Sequence, residues 1–174
     1  MIIPSHVWQR GRELVFTKKV EVSGCIPTDD KGVCISIHVK SHGTHDTTPM
    51  PPASCHVTFH THPEVAYKKY KSALGWPSGD DLAVIAMMKL PFHLVFAIEG
   101  IYLVECSGAC KQYTQKKSES LRKQFTEYHE KRTFKYISKH GIIEPSEFAA
   151  IATEHGMTMY FRAYPSSSTA PVVF

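Results

Sequence analysis

No run in this 174-residue chain approaches the ~20 consecutive apolar residues that a membrane-spanning helix needs. The first ten residues, Met1 to Arg10, also lack the apolar core of a secretory signal. Cysteine is scarce: five residues, an odd number with no regular spacing. That pattern argues against a disulfide framework and for a reducing compartment, so a cytoplasmic or nuclear setting is expected. Cys106 and Cys110, four apart, read as bystander thiols in preference to a second metal site. Neither sign of charge dominates, and a net charge of +4 is too mild to argue for a nucleic-acid partner, although it is compatible with one. There is no internal repeat. With 43% hydrophobic and 21% charged residues, the composition is that of an ordinary soluble domain.

The length suits one domain with one good core. Residues 5–13 read as a short helix or an irregular arm. Residues 14–27, rich in Val, Ile and Phe, and residues 33–39, which alternate, read as an antiparallel hairpin about the turn Pro27-Thr28-Asp29-Asp30-Lys31-Gly32. Residues 42–53 hold three prolines and form a loop long enough to serve a site. Residues 55–61 make the next strand, ended by Pro63. Residues 64–77 read as an insertion with a helical turn near Tyr67. Ser78 caps a helix that runs to about residue 88. Two apolar strands, 92–98 and 101–106, meet at Glu99-Gly100. A long amphipathic helix over 116–140, basic residues interleaved with acidic ones, a short helix over 147–154 and a strand over 157–163 follow. The expected architecture is a single α+β (mixed α/β) domain over residues 1–164, with a curved central sheet, and a Ser/Pro-rich surface tail over 165–174.

Within that frame one stretch carries chemistry. His60 and His62 sit two apart on a strand, so both side chains face the same way. With 11 histidines in the chain, chance alone supplies on the order of one such pair, so the pair is weak by itself. Ser78-Gly79-Asp80-Asp81 at the next helix start adds a carboxylate. Two imidazoles and one carboxylate are a common zinc set in hydrolases, with a fourth position left for water. Such a site also needs a carboxylate off the metal to move the proton, and a donor for the developing oxyanion.

Taken together, His-x-His-Pro and Ser-x-x-Asp resemble the JAMM motif of the MPN (JAB) metalloprotease family. That family also carries an upstream Glu-x-x-Gly-x-Leu/Ile, and Glu21-Val22-Ser23-Gly24-Cys25-Ile26 is similar to it. The resemblance covers about residues 10–107. It implies an MPN/JAB-like domain with a mostly antiparallel sheet flanked by helices. It implies a Zn2+ ion held by His60, His62 and Asp81, with Glu21 as general acid/base and Ser78 as the oxyanion partner. The Ser-x-x-Asp spacing selects Asp81 over Asp80.

One departure stands out: fifteen residues, 63–77, separate the second His from the Ser, more than the family pattern has. The form of this insertion is similar to that in JAMM-like proteins of large DNA viruses. Tyr67, Tyr70 and Trp76 within it are candidate substrate contacts, with packing the plainer reading for Trp76.

The activity implied is that of a zinc metallo-isopeptidase acting on ubiquitin or ubiquitin-like modifier conjugates. A JAMM peptidase acting on another small protein or peptide is the alternative enzyme. A non-catalytic MPN scaffold is disfavoured because every ligand is present. An MPN partner subunit or a homodimer is a further family expectation. Nucleic-acid binding ranks last, and no membrane association is expected.

Overall fold

Val57–Thr61 (β4) is buried at all five positions, and the other strands are arranged around it. The computed structural model describes residues 1–44, 47–49, 54–70, 75–106, 110, 119–120, 122–123, 152–153 and 156–174. On one side of β4 lies Val22–Cys25 (β2), antiparallel; on the other lies Phe92–Phe96 (β5), parallel. His38–His42 (β3) pairs with β2, while Gly100–Cys106 (β6) and Met157–Ala163 (β7) extend the sheet beyond β5. The order is β3-β2-β4-β5-β6-β7. Among the described strands of this sheet only β4 and β5 run parallel, so the sheet is mixed but mostly antiparallel, and the class is α+β. A parallel pair needs a crossover. Here it carries two helices, Glu64–Tyr70 (α2) and Gly79–Met88 (α3).

Side-chain alternation splits the core between the two faces of the sheet. Val57, Phe59, Leu94 and Phe96 share one cluster with Val7, Trp8 and Leu14 of helix α1, Ser5–Thr17. Val95, Tyr102 and Val104 share the other with Leu82, Ile85 and Ala86 of α3. Thr58 and His60 have His93 and Val95 as their β5 partners, so they face α3. Gly11 of α1 approaches the Phe96 ring so closely that a Cβ has no room there.

Several expectations change. Residues 14–17 continue helix α1 and do not begin a strand. The buried positions Val7, Trp8, Gly11, Leu14 and Val15 recur at helical spacing, and packing of that face overrides the β propensity of Val15-Phe16. The hairpin is present, but its strands are shorter than expected and its second strand begins at His38, not at residue 33. The surface tail is tied down at its end. Val172–Val173 (β8) pairs with Ile2–Ile3 (β1), and the Trp8 indole donates to the Ala170 carbonyl at 2.8 Å.

The cysteines also differ from expectation. Cys25 ends β2 and Cys55 leads into β4, its antiparallel neighbour, and the two form a disulfide with Cα atoms 5.6 Å apart. Cys106 and Cys110 form another, at 5.4 Å. The latter pair therefore offers no thiolates to a second metal. The premise for a reducing compartment is also removed, because strand adjacency pairs cysteines 30 residues apart. Cys34 is the free thiol among the described residues. The expected helices over 116–140 and 147–154 lie largely outside the described residues; 119–120, 122–123 and 152–153, which are described, are helical. No helix among the described residues is long and apolar enough to cross a membrane.

Candidate metal centre

The site forms where β4 ends and α3 begins. His60 is buried in β4, and His62 follows one residue beyond it, its backbone N–H donating to the Phe96 carbonyl at 2.9 Å. Asp81 is the third residue of α3. The Ser78 hydroxyl accepts from the Asp81 N–H at 3.1 Å, and the Asp81 carboxylate accepts from the Ser78 N–H at 2.6 Å. This capping box satisfies two otherwise unpaired donors and fixes the carboxylate at the helix start. Asp80 points away and pairs with Arg122 at 3.0 Å.

His60 Nε2 lies 2.9 Å from His62 Nε2, and the Asp81 oxygens lie 3.5 and 3.6 Å from the two nitrogens. Around a tetrahedral zinc with ligands at about 2.05 Å, neighbouring donor atoms are about 3.3 Å apart. The His60–His62 distance and the two His–Asp81 distances, which use different carboxylate oxygens, lie on either side of that value. His60, His62 and Asp81 thus form a group able to hold one metal ion.

The outer hydrogen bonds orient both imidazoles toward such an ion. His62 Nδ1 lies 2.8 Å from the Gly75 carbonyl. A carbonyl only accepts, so Nδ1 carries the proton and donates it. On the other side, the Thr58 hydroxyl donates to the Phe92 carbonyl at 3.2 Å. With that proton engaged, Thr58 accepts from His93 Nδ1 at 2.7 Å. His93 Nε2 then accepts from His60 Nδ1, also at 2.7 Å. In the neutral imidazoles both Nε2 atoms therefore carry lone pairs toward each other and toward Asp81. Two facing lone pairs and a carboxylate call for a cation between them.

The electrostatics agree. Burial lowers the His60 pKa to about 4, keeping that imidazole neutral. Burial would also lower His62, but its hydrogen bond to Asp81, the charges of Asp81 and Glu21, and the Gly75 carbonyl outweigh burial and raise it to about 9. Burial would raise Asp81, yet His60, His62 and the Ser78 N–H hold it well below the usual carboxylate range. His93 is pushed well below its ordinary value by burial and by the neighbouring imidazoles. The field that keeps a proton on His62 favours a metal ion in its place.

Glu21 immediately precedes β2 and is 7% exposed. The register pairs Ser23 with His60. Extended by two residues, it sets Glu21 opposite His62, on the same face of the sheet. The Val22 N–H donates to Thr61 at 3.1 Å, which holds this end of the pairing. The long loop closes over it: the Gly43 N–H donates to the Glu21 carbonyl at 2.9 Å, and Ser23 donates to the Pro49 carbonyl.

The structure therefore brings Glu21, His60, His62, Ser78 and Asp81 to one place. It does not bring the insertion aromatics there as exposed contacts. Trp76 is 4% exposed and packed in the α3 cluster, and Tyr67 is buried with its hydroxyl on Glu99. Both serve packing, and the side chain of Tyr70 lies outside the described residues.

Sequence reasoning missed His93 and Gly75. A histidine inside the apolar strand Phe92-His93-Leu94-Val95-Phe96 was the available signal for the first; nothing in the sequence marked the second. No family model, curated protein or solved structure matches the chain.

Proposed function

We propose that this protein is a zinc-dependent metallo-isopeptidase acting at the C-terminus of ubiquitin or a ubiquitin-like modifier. The observation that carries the reading is the triangle of His60, His62 and Asp81 donor atoms with Glu21 on the same face beside His62. The choice of zinc rests on the donor set, two imidazoles and a carboxylate at tetrahedral spacing. The choice of substrate rests on the resemblance of the five-residue set to the JAMM motif.

Zinc held there supplies Lewis acidity, which lowers the pKa of water to roughly 7. The chain's own residues do the rest. Glu21 accepts the proton of the attacking water and returns it to the departing lysine amine. The Ser78 oxygen is already an acceptor in the helix cap, so its hydroxyl proton remains to donate to the developing oxyanion. The buried neutral His93 and the Gly75 carbonyl hold the two imidazoles in the ligating tautomer.

Metal analysis together with di-ubiquitin cleavage tests the proposal. One zinc per chain is expected, with cleavage abolished by chelator and restored by zinc. Glu21→Gln is expected to retain zinc and lose at least 100-fold in rate. Cleavage that survives chelation sinks the mechanism. Cleavage of peptides but of no ubiquitin linkage moves the substrate to another small protein.

A further inference from the structure

Glu99, in the turn between β5 and β6, accepts three hydrogen bonds. The Tyr102 hydroxyl and the Gly75 N–H each reach its Oε1 at 2.7 Å, and the Tyr67 hydroxyl reaches Oε2 at 3.0 Å. Tyr67 is itself held by the Ile98 N–H at 3.2 Å. Tyr102 belongs to β6 and Tyr67 to α2, so one carboxylate ties the sheet, the first crossover helix and residue 75 together.

Gly75 is the link to the metal centre. Its carbonyl accepts from His62 Nδ1, and its N–H is the group that Glu99 holds. Residue 75 lies in neither a helix nor a strand, so no regular ladder fixes its peptide. A Cβ at this position would collide with the Tyr67 hydroxyl, so the approach requires glycine. The two imidazoles thus have unequal supports. His60 sits within β4 and leans on His93 of the neighbouring strand. His62 lies past the strand end, and beyond its partners within the site, His60 and Asp81, its ring is held by a loop carbonyl.

We infer that Glu99 is a positioning residue for the metal centre, setting the His62 imidazole through Gly75. The 63–77 insertion then has a definite role, because it carries to His62 the acceptor that selects its ligating tautomer. This rests on reading His60, His62 and Asp81 as a metal set.

The test uses the full chain in three forms: wild type, Glu99→Ala and Glu99→Gln. Zinc affinity is measured by competition with a chromogenic chelator, and ligand geometry by the visible absorption of the cobalt form. The His62 ring 15N shifts of the metal-free protein, recorded above pH 9 where the imidazole is neutral, report the tautomer. Glu99→Ala is expected to weaken zinc binding about 10- to 100-fold, alter the cobalt bands and mix the His62 tautomers. Glu99→Gln keeps an amide oxygen for Gly75 and Tyr102, and is expected to recover affinity to within about threefold of wild type. A purely structural role would lower stability without moving the cobalt bands or the His62 shifts in folded protein. Unchanged bands, affinity and shifts in Glu99→Ala overturn the inference. If Glu99→Ala fails to fold, Tyr67→Phe, which removes one of the three donors, is expected to shift the same signals in the same direction, and no shift there overturns it equally. A wild type that binds no zinc sinks the metal reading itself, while the His62 shifts still decide whether Glu99 orients the ring.

Discussion

His93 Nε2 lies 2.7 Å from His60 Nδ1, and His93 Nδ1 lies 2.7 Å from the Thr58 hydroxyl. All three side chains are buried, at 1% exposure or less. The relay ends on the Phe92 carbonyl, so every polar atom along it has a partner. Such a chain fixes which nitrogen of His60 faces His62 and Asp81.

Replacing His93 by leucine is expected to leave the His60 Nδ1–H buried without an acceptor. The expected loss is about 1–3 kcal/mol of stability. Zinc affinity of the folded protein is expected to fall about 10- to 100-fold. Thermal melts of the metal-free protein read the first effect, and competition titration reads the second. A His93→Leu protein with unchanged affinity would show that His60 needs no outer partner.

Cys34 carries the pH prediction. It is buried at 1% exposure, and desolvation raises its pKa from 9.0 to about 11. A thiol whose folded pKa lies above its unfolded one adds stability that is complete below the unfolded value. That stability is lost as pH rises through the folded one, here between about 9 and 11. The melting temperature of wild type is therefore expected to drop more steeply over that window than that of Cys34→Ala. In the native protein at pH 8 the thiolate fraction is about a hundredfold below that of an ordinary thiol, so labelling by a disulfide reagent is expected to be slow. Unfolded without reductant, the chain is expected to release one reactive thiol, since the other four cysteines are paired. Five would overturn both disulfides.

The candidate metal group was legible in the sequence because its spacing is local. His60 and His62 obey the two-residue strand period, and Ser78 with Asp81 obeys the capping box. The α+β class was legible from the mixture of periods; the parallel β4–β5 pair was not singled out within the mostly antiparallel sheet expected. What stayed hidden depends on partners far apart in sequence. His93 acts on a residue 33 positions earlier, and Cys25 pairs with one 30 positions later. The last turn of helix α1 hid for another reason: it carries residues of strand preference, and burial of the helix face against the sheet decides the outcome. Whether Tyr67 lines a cleft or fills a core was not legible, because an aromatic in an insertion looks the same in sequence either way, whereas packing was already the plainer reading for Trp76.

Ser78 has two roles that a single substitution confuses, and a series separates them. Its oxygen accepts the Asp81 N–H at 3.1 Å as the cap of α3, and its proton is the proposed donor to the oxyanion. Ser78→Ala removes both and is expected to cost about 0.5–2 kcal/mol of stability together with most of the activity. Ser78→Gly removes the hydroxyl but, as a tolerated cap residue, is expected to cost only a few tenths of a kcal/mol relative to Ser. Ser78→Thr retains both the cap acceptor and the proton. If the hydroxyl serves the oxyanion, kcat in Gly and Ala should fall together by about 10²–10³, while Thr stays near wild type. The same three proteins should bind zinc with similar affinity, because Asp81 keeps its Ser78 N–H partner, a backbone group at 2.6 Å that no side-chain change removes. Should kcat instead track stability across the series, with Gly close to wild type, Ser78 is a helix cap and the oxyanion is stabilised by another group.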